Sequence, residues 1–580
     1  MHACYTDEIN VQIVIALMKH HGVHYVIASP GSTNITFVAS IQQDSFFTVY
    51  SAVDERSAAY MACGLAAETG EPVALSCTGA TASRNYMPAL TEAFYRNLPV
   101  LAITSTQHVG RIGHNIAQVI DRRTPLNDIV RMSVQCPTIR SEEDRWACEM
   151  EVNRALLELT HCVGGPVHIN LTTTYSGYFN VSELPQVRTV DRIERGDVLP
   201  SLEGRRVAIF VGSHQAWDER LTLAVDAFCS SYGAVVICDQ TSNYRGSYRV
   251  LGALECVQDG ASLGCRDVDV LIHIGEISGG EIDLRASQVW RVSLDGTVRD
   301  TFKLLRFVFE MTEVDFFEAY VAAAGESVPS VDMLAEWVEA DEKIRARIPE
   351  LPFSNLWVAQ QTASRLPEDS VLHLGILNSL RSWNFFETPG SVRCYSDTGG
   401  FGIDGCVSAL IGASLASPDK LFFGVVGDLA MFYDLNSLGN RHVGPNVRLM
   451  VINNGVGTEF KNYNNLAADF GESADAFIAA RGHFGSQSRD LLRNYAGDLG
   501  FQYLSATCKG EYLSLADTFL DPESHDLPML FEVFTDSADE SVALKKIRGI
   551  ETDAKGAAKQ AVRSIFGDKG VAAAKKILGR

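Results

Sequence analysis

Three oxygen donors stand within one short stretch of this chain. Residues 421–426 form an apolar run that ends at Gly427 and Asp428. A second run, 447–452, ends at Asn453 and Asn454, with Gly455 and Gly457 just beyond. Both runs read as buried strands, and the segment from about Met431 to Gly439 reads as a helix between them. The result is a βαβ unit whose two strands stop on polar oxygen groups. Ligands of open parallel sheets sit beyond the C-terminal ends of the strands. There Asp428 and Asn454 become neighbours, and the flanking glycines expose the backbone carbonyl of Val456. One carboxylate, one amide and one carbonyl are an incomplete oxygen set. It suits Mg²⁺, which takes octahedral geometry and fills its other positions with phosphate and water.

The elements around this stretch repeat the same plan. In the first 185 residues, strands are expected at 24–28, 47–53, 73–77 and 100–104. They end in Ser29-Pro30-Gly31-Ser32, Asp54-Glu55-Arg56 and Thr78-Gly79-Ala80-Thr81. The small-residue segment after Arg56 reads as a helix closed by Gly70. Strand and helix in alternation at this spacing predict a doubly wound parallel sheet. Glu55 lies where a strand ends and a helix begins, a favourable place for any carboxylate against the helix dipole. His108, His114, Asn115 and Gln118 follow the strand that starts at Val100. They could move protons at a substrate or simply hold a loop. Residues 200–340 read as a second α/β domain, with strands at 206–211, 234–238, 268–274 and 289–294, after a polar linker over 186–200. Its VGS and IGE turns lack a complete dinucleotide fingerprint, and a structural role is expected. Residues 350–545 read as a third α/β domain. A Gly-rich loop, 399–405, leads there into a helix at 407–415, suited to phosphate at the helix start. From about 546 the composition turns to Lys, Arg, Ala and Gly, predicting a basic helical tail.

Composition excludes several classes. With 580 residues, 46% hydrophobic and 21% charged, the chain resembles an ordinary multi-domain enzyme. A formal net charge of −22 argues against nucleic acid as a partner. The 13 cysteines contain no CxxC pair and read as reduced, buried thiols. No basic region followed by an apolar core opens the chain, and no apolar run reaches the ~18 residues of a membrane span. A cytoplasmic location is expected.

Gly427-Asp428 followed some two dozen residues later by Asn453-Asn454 resembles the diphosphate-binding signature of thiamine diphosphate (ThDP) enzymes. GDL stands here where that family usually has GDG. The segment from Val53 to Ser105 and GGPVHINL at 164–171 resemble the family's pyrimidine-binding domain. SPGS from Ser29, DERSAAY from Asp54, GFGIDG from Gly400 and GDLAMFYDLNSL from Gly427 resemble the MenD type, over most of residues 1–545. The resemblance implies three doubly wound parallel-sheet domains: pyrimidine-binding, central and diphosphate-binding. It implies ThDP and Mg²⁺ as cofactors, with Asp428, Asn454 and Val456 on the metal. Glu55 would face the pyrimidine ring and Ile403 would bend the cofactor. Thr78, Gly79, Gly402, Gly427 and Leu429 would complete the cofactor site, and Asn115 and Gln118 would act on the substrate.

The implied activity is decarboxylation of a 2-oxo acid, with carboligation of the remaining fragment to a second carbonyl or activated acceptor. A simple decarboxylase releasing an aldehyde would use the same residues, and a non-catalytic scaffolding relative is the reading of another class. A site shared between the domains of two chains implies a homodimer or homotetramer. The chain departs from the MenD pattern at three arginines, where it has Thr33, Trp383 and the Asp397-Thr398-Gly399 segment. Guanidinium forks grip carboxylates in a bidentate way, and each hydrogen bond to a charged group that a buried site gives up costs about 1.5–3 kcal/mol. The cofactor machinery is therefore expected to be kept and the substrate changed. Arg56, Arg84, Arg111 and Arg381 remain as possible carboxylate partners.

Overall fold

The computed structural model describes residues 4–215, 217–325, 329–482, 488–523 and 525–551. The basic tail expected from about 546 therefore lies, from residue 552 on, outside the described residues. The chain divides into two compact units. One runs to Glu194 and includes Asp295–Glu310; the other comprises Arg195–Leu294 and everything from Met311.

The first unit carries β1 (Tyr25–Ala28), β2 (Thr48–Ser51), β3 (Val73–Cys77), β4 (Val100–Thr106), β5 (Met132–Cys136) and β6 (Val167–Thr172). They form a six-stranded parallel sheet in the order β2-β1-β3-β4-β6-β5. Every residue of β3, β4 and β6 is buried, as a sheet covered by helices on both faces requires. One face packs on Ile9–His20 and Glu142–Glu158, the other on Glu55–Thr69 and Met87–Tyr95. Gly70 closes Glu55–Thr69 in the left-handed conformation, φ 72°, as expected. A further parallel pair, β7 (Asp191–Glu194) and β13 (Leu305–Glu310), completes this unit. β7 falls inside the expected linker. Its sequence DRIE buries no residue fully, so no hydrophobic alternation marks it.

The second unit holds β8 (Val207–Val211), β9 (Val235–Cys238), β10 (Arg249–Leu251), β11 (Asp267–Ile274) and β12 (Arg285–Val292), in the order β10-β9-β8-β11-β12. The VGS and IGE turns pack on each other. A Cβ on Gly212 would lie 1.9 Å from the Glu276 carbonyl oxygen, and Glu276 N–H donates to Ser213 O at 2.8 Å. The glycine fills a turn-on-turn contact, in keeping with a structural role.

The third sheet consists of β14 (Val371–Leu374), β15 (Arg393–Tyr395), β16 (Phe422–Gly427), β17 (Val447–Asn453), β18 (Gln502–Ala506) and β19 (Met529–Phe534), in the order β15-β14-β16-β17-β19-β18. Its strand pairs are all parallel, like those of the first sheet, so the fold is the expected α/β class. The first and third sheets share one topology: the chain moves outward to the second strand, then returns to lay the third on the other side of the first. The switch points fall between β1 and β3 and between β14 and β16. Crevices for ligands open at such points. Among the described residues, no helix is long and apolar enough to cross a membrane.

Candidate cofactor and substrate site

At the switch point of the third sheet, the register sets Gly427 opposite Ile452, so β16 and β17 end level with each other. The helix after β16 begins at Asp428 itself and runs to Tyr433, followed by a 3-10 turn over Leu435–Gly439. It starts three residues earlier than expected, because Asp428 favours a first helical turn. Asp428 is 3% exposed. Its carboxylate accepts the Leu429 N–H and, across the gap to β17, the Gly455 N–H, both at 2.8 Å. Burial pushes this carboxyl up to about 6, a cost that a cation at the carboxylate would offset. The following turn brings Asn454 Oδ1 to 3.4 Å from Val456 N, and Thr458 Oγ1 to 3.4 Å from the Val456 carbonyl. Asn453 takes no part in the site; its amide donates to Glu532 Oε1 at 2.6 Å.

Gly427, Asp428, Leu429, Asn454, Val456 and Ile403 line one cavity. The structure thus brings together six of the residues expected there. Gly402 adjoins Ile403 but does not line it. The cavity wall also includes Asn378, which follows the strand at 371–374, and Leu377, Glu459 and Glu540, which did not stand out in sequence. Leu377 holds φ 70° and ψ −118°, a conformation costing of order 1–3 kcal/mol for a non-glycine residue, and such strain concentrates at functional sites. Glu540 is buried; its carboxylate accepts Asn355 N–H at 3.0 Å and the Thr535 hydroxyl at 2.7 Å. Burial raises this carboxyl to about 7.

That shift has a measurable consequence. A carboxyl raised from 4.5 in the unfolded chain to about 7 in the folded one binds more protons folded than unfolded between those values. Stability therefore falls as pH rises through that window and levels off above it, by about 3 kcal/mol in all. Glu540→Gln keeps an acceptor for Asn355 and removes the charge. Its melting temperature relative to wild type rises by several degrees between pH 5 and pH 8 in a thermal scan; an unchanged difference would refute the assignment.

The matching switch point in the first unit gathers the turns after β1, β3 and β4. Thr33 is buried, its hydroxyl 2.7 Å from Thr78 Oγ1, donating to Ser105 O at 3.0 Å and accepting Gly79 N–H at 3.2 Å. Gly79 faces the Gln118 carbonyl; a Cβ there would approach it to 2.7 Å. Thr78, Gly79 and Gln118 are thereby brought together. Gly79→Ala forces the 107–123 loop outward. Overpacking of this kind costs typically 1–3 kcal/mol, and a shift of about 1 Å can cost 10²-fold in rate. The expected result is a lowered melting temperature with at least tenfold slower turnover, read by calorimetry and steady-state kinetics. Asn115 and Gln118 both hold left-handed φ, 57° and 64°, and are exposed.

Glu55 opens its helix half-buried and accepts from Asn85 Nδ2 at 3.2 Å. Asp54 supplies the N-cap, accepting Ser57 N–H at 3.0 Å. His108 Nδ1 accepts the Gly110 N–H at 3.1 Å, a loop-holding bond. Of the four arginines considered for carboxylates, Arg56 lies 3.7 Å from Asp54 and Arg84 donates to Asp121 O at 2.9 Å. Arg111 pairs with Gln107 and Arg381 with Glu459. Arg122, in a polar run with no pattern to distinguish it, is buried instead. Its Nη2 donates to Ser105 O and Asn170 Oδ1, while Nε and Nη1 have no partner among the described residues. Burial lowers its guanidinium to about 10.

A buried carboxylate, an amide oxygen and a backbone carbonyl meet at one switch point, and an acid-started helix opens in the first unit; the class that accounts for both is that of the thiamine-diphosphate-dependent enzymes, and comparison with known proteins carries it. Residues 10–124 match the family described as thiamine pyrophosphate enzyme, N-terminal TPP binding domain. The 2-succinyl-5-enolpyruvyl-6-hydroxy-3-cyclohexene-1-carboxylate synthase of Phocaeicola vulgatus is 30% identical over 563 residues, covering 93% of this chain and 98% of the relative. The synthase of the same name from Bacteroides thetaiotaomicron is 30% identical over 570 residues, with the same coverage. That of Desulfotalea psychrophila is 27% identical over 541 residues, 89% of this chain and 96% of the relative. The chain belongs to the family of these synthases, the MenD type. It is an enzyme of ThDP-dependent decarboxylation and carboligation, and its cofactors are ThDP and a divalent metal such as Mg²⁺.

Proposed function

We propose that this enzyme removes CO₂ from a 2-oxo acid and joins the remaining fragment to a carbonyl acceptor smaller or less charged than a polycarboxylate. The observation that carries the reading is the cavity in which Asp428, Asn454, Val456 and Ile403 meet. All three metal donors are oxygens, as Mg²⁺ requires, and both oxygens of buried Asp428 face backbone N–H groups, with no cationic side chain beside them among the described residues. When bound, ThDP supplies the electron sink for loss of CO₂. The protein's part is to hold and tune. Asp428, Asn454 and the Val456 carbonyl hold the metal, and Gly427 and Leu429 frame the diphosphate. Ile403, with Gly402 beside it, supports the bend between the rings. Glu55, with Thr78 and Gly79 beside it, exchanges a proton with the pyrimidine ring in a site completed by a second copy of the chain. Gln118 and Asn115 orient the substrate.

The changed acceptor rests on what fills the three variant positions. Thr33 spends its hydroxyl on Thr78, Ser105 and Gly79. Trp383 is fully buried, with Nε1 3.3 Å from Asn355 Oδ1. Thr398 is buried as well. None of the three positions carries an arginine, and the guanidinium that shares the Ser105 carbonyl with Thr33, that of Arg122, is buried and donates to Ser105 O and Asn170 Oδ1. The test supplies ThDP and Mg²⁺ with pyruvate, 2-oxoglutarate and other 2-oxo acids, with and without isochorismate or aldehyde acceptors. CO₂ release with a carboligated aldehyde product supports the reading. No CO₂ release from any 2-oxo acid sinks it, and efficient consumption of isochorismate sinks the changed acceptor.

A further inference from the structure

The cofactor cavity has a neighbour. Asn378, Thr458, Glu459 and Glu540 line both it and a second, partly open chamber of about 250 Å³. The second chamber contains two arginines, and both are ion-paired to carboxylates. Arg381 Nη1 lies 2.6 Å from Glu459 Oε1. The other oxygen of Glu459 is held in turn: in the orientation its neighbours require, the Asn378 amide donates to Glu459 Oε2 at 3.1 Å and accepts Glu459 N–H at 3.0 Å. Arg548 Nη1 lies 2.6 Å from Glu281 Oε2, and its Nη2 3.3 Å from Asp259 Oδ1. Against these two cations the lining sets three carboxyl groups, Glu281, Glu459 and Glu540. A carboxylate ligand would meet no spare positive charge and would have to break an existing pair.

Arg381 Nε makes no hydrogen bond among the described residues but lies 3.9 Å from Glu281 Oε1, so its charge is balanced on both sides, and the remaining uncommitted donor is neutral. Asn384 is 1% exposed and lines the chamber; its oxygen accepts Gln240 N–H at 2.8 Å, while its amide nitrogen has no partner among the described residues. A buried donor left unpaired is costly and calls for an oxygen acceptor. Ser382 adds a hydroxyl to the same wall.

We propose that this chamber binds the second substrate, and that this substrate is an uncharged hydroxy-aldehyde or hydroxy-ketone whose oxygen accepts from Asn384. The inference rests on the functional reading above and specifies its acceptor. The overall step balances without an oxidant: the 2-oxo acid loses CO₂, its carbonyl carbon bonds to the acceptor's carbonyl carbon, and the acceptor oxygen takes up a proton, giving an α-hydroxy ketone.

The test uses the full chain loaded with ThDP and Mg²⁺ and compares glyceraldehyde with glyoxylate, an acceptor of similar size that carries a carboxylate. Calorimetric titration without donor is expected to show glyceraldehyde binding at least tenfold tighter than glyoxylate. With donor present, product analysis is expected to show the same preference in kcat/KM. Asn384→Asp keeps the acceptor for Gln240 and replaces the free donor with a charge; the acceptor KM is expected to rise about tenfold. Glu459→Gln releases Arg381 and is expected to shift preference at least tenfold towards glyoxylate. Equal or tighter binding of glyoxylate by the wild type, or an Asn384→Asp enzyme with unaltered acceptor KM, overturns the proposal. Absence of CO₂ release from every 2-oxo acid would defeat the functional reading instead, and the donor-free titration would still decide the chamber.

Discussion

Replacing Glu55 with glutamine slows CO₂ release by about 10²–10⁴-fold, the range of a lost general acid–base group, while ThDP affinity changes less than tenfold. The two quantities separate because of where Glu55 stands. It lies at the first helical position, half-buried, with one oxygen accepting from Asn85 Nδ2 at 3.2 Å. Glutamine has the same shape and keeps an oxygen for Asn85. The helix start does not depend on Glu55, because the Asp54 side chain caps it through Ser57 N–H; the favourable interaction with the helix dipole that glutamine gives up is worth about 0.3–1 kcal/mol. What the amide cannot do is exchange a proton with a ring nitrogen. Rate measured as CO₂ evolution, ThDP affinity by calorimetry and a melting curve on one preparation check all three statements. A Glu55→Gln enzyme that decarboxylates at the wild-type rate would remove Glu55 from the chemistry. A variant that fails to bind ThDP would make its role positional.

The inner strands of the sheets were legible in the sequence because they are buried on both faces. β3 falls at the expected residues, and β16 and β17 within one residue of them, because continuous apolar runs bounded by glycine and polar residues admit few alternatives. β7 was not legible: DRIE is an edge strand that owes its place to pairing with β13 and not to its own burial. The helix at Asp428 shows a related failure. The apolar pattern starts at Met431, but the turn begins where the carboxylate meets backbone N–H groups, and that depends on Gly455, 27 residues away. The candidate site divides in the same manner. Asp428, Asn454 and Val456 are readable because a strand end, a polar residue and a glycine lie next to one another in the chain. Glu540 and Leu377 reach the cavity from helices around the sheet, through hydrogen bonds to Asn355 and Thr535 in the first case and a strained backbone before a helix in the second. No local pattern announces either. Asn453 and Asn454, adjacent and chemically equal, are told apart only by the Glu532 that claims the first.

Asp428→Asn weakens ThDP binding on the order of 10²-fold or more and abolishes its dependence on added Mg²⁺. Changes in groups that merely orient metal ligands cost 10–100-fold in affinity, and Asp428 combines that role with direct ligation in the proposed site. Both its oxygens already accept backbone N–H groups, from Leu429 and Gly455, at 2.8 Å. In asparagine one of the two becomes an NH₂ facing another donor, leaving a buried group unsatisfied at about 1–3 kcal/mol. If that group is the one opposite Gly455, the damage spreads, because Gly455 carries φ 74° in the turn that presents Asn454 and the Val456 carbonyl. Charge and turn geometry then fail together, and the three donors fail as a set, more than the sum of single deletions. Titrating ThDP with Mg²⁺ and again with a chelator distinguishes the causes. For the wild type the chelator weakens binding sharply; for Asp428→Asn the two isotherms coincide. A variant that binds weakly yet still responds to Mg²⁺ would mean that Asn454 and Val456 hold the metal without it, and that the buried carboxylate serves the turn alone.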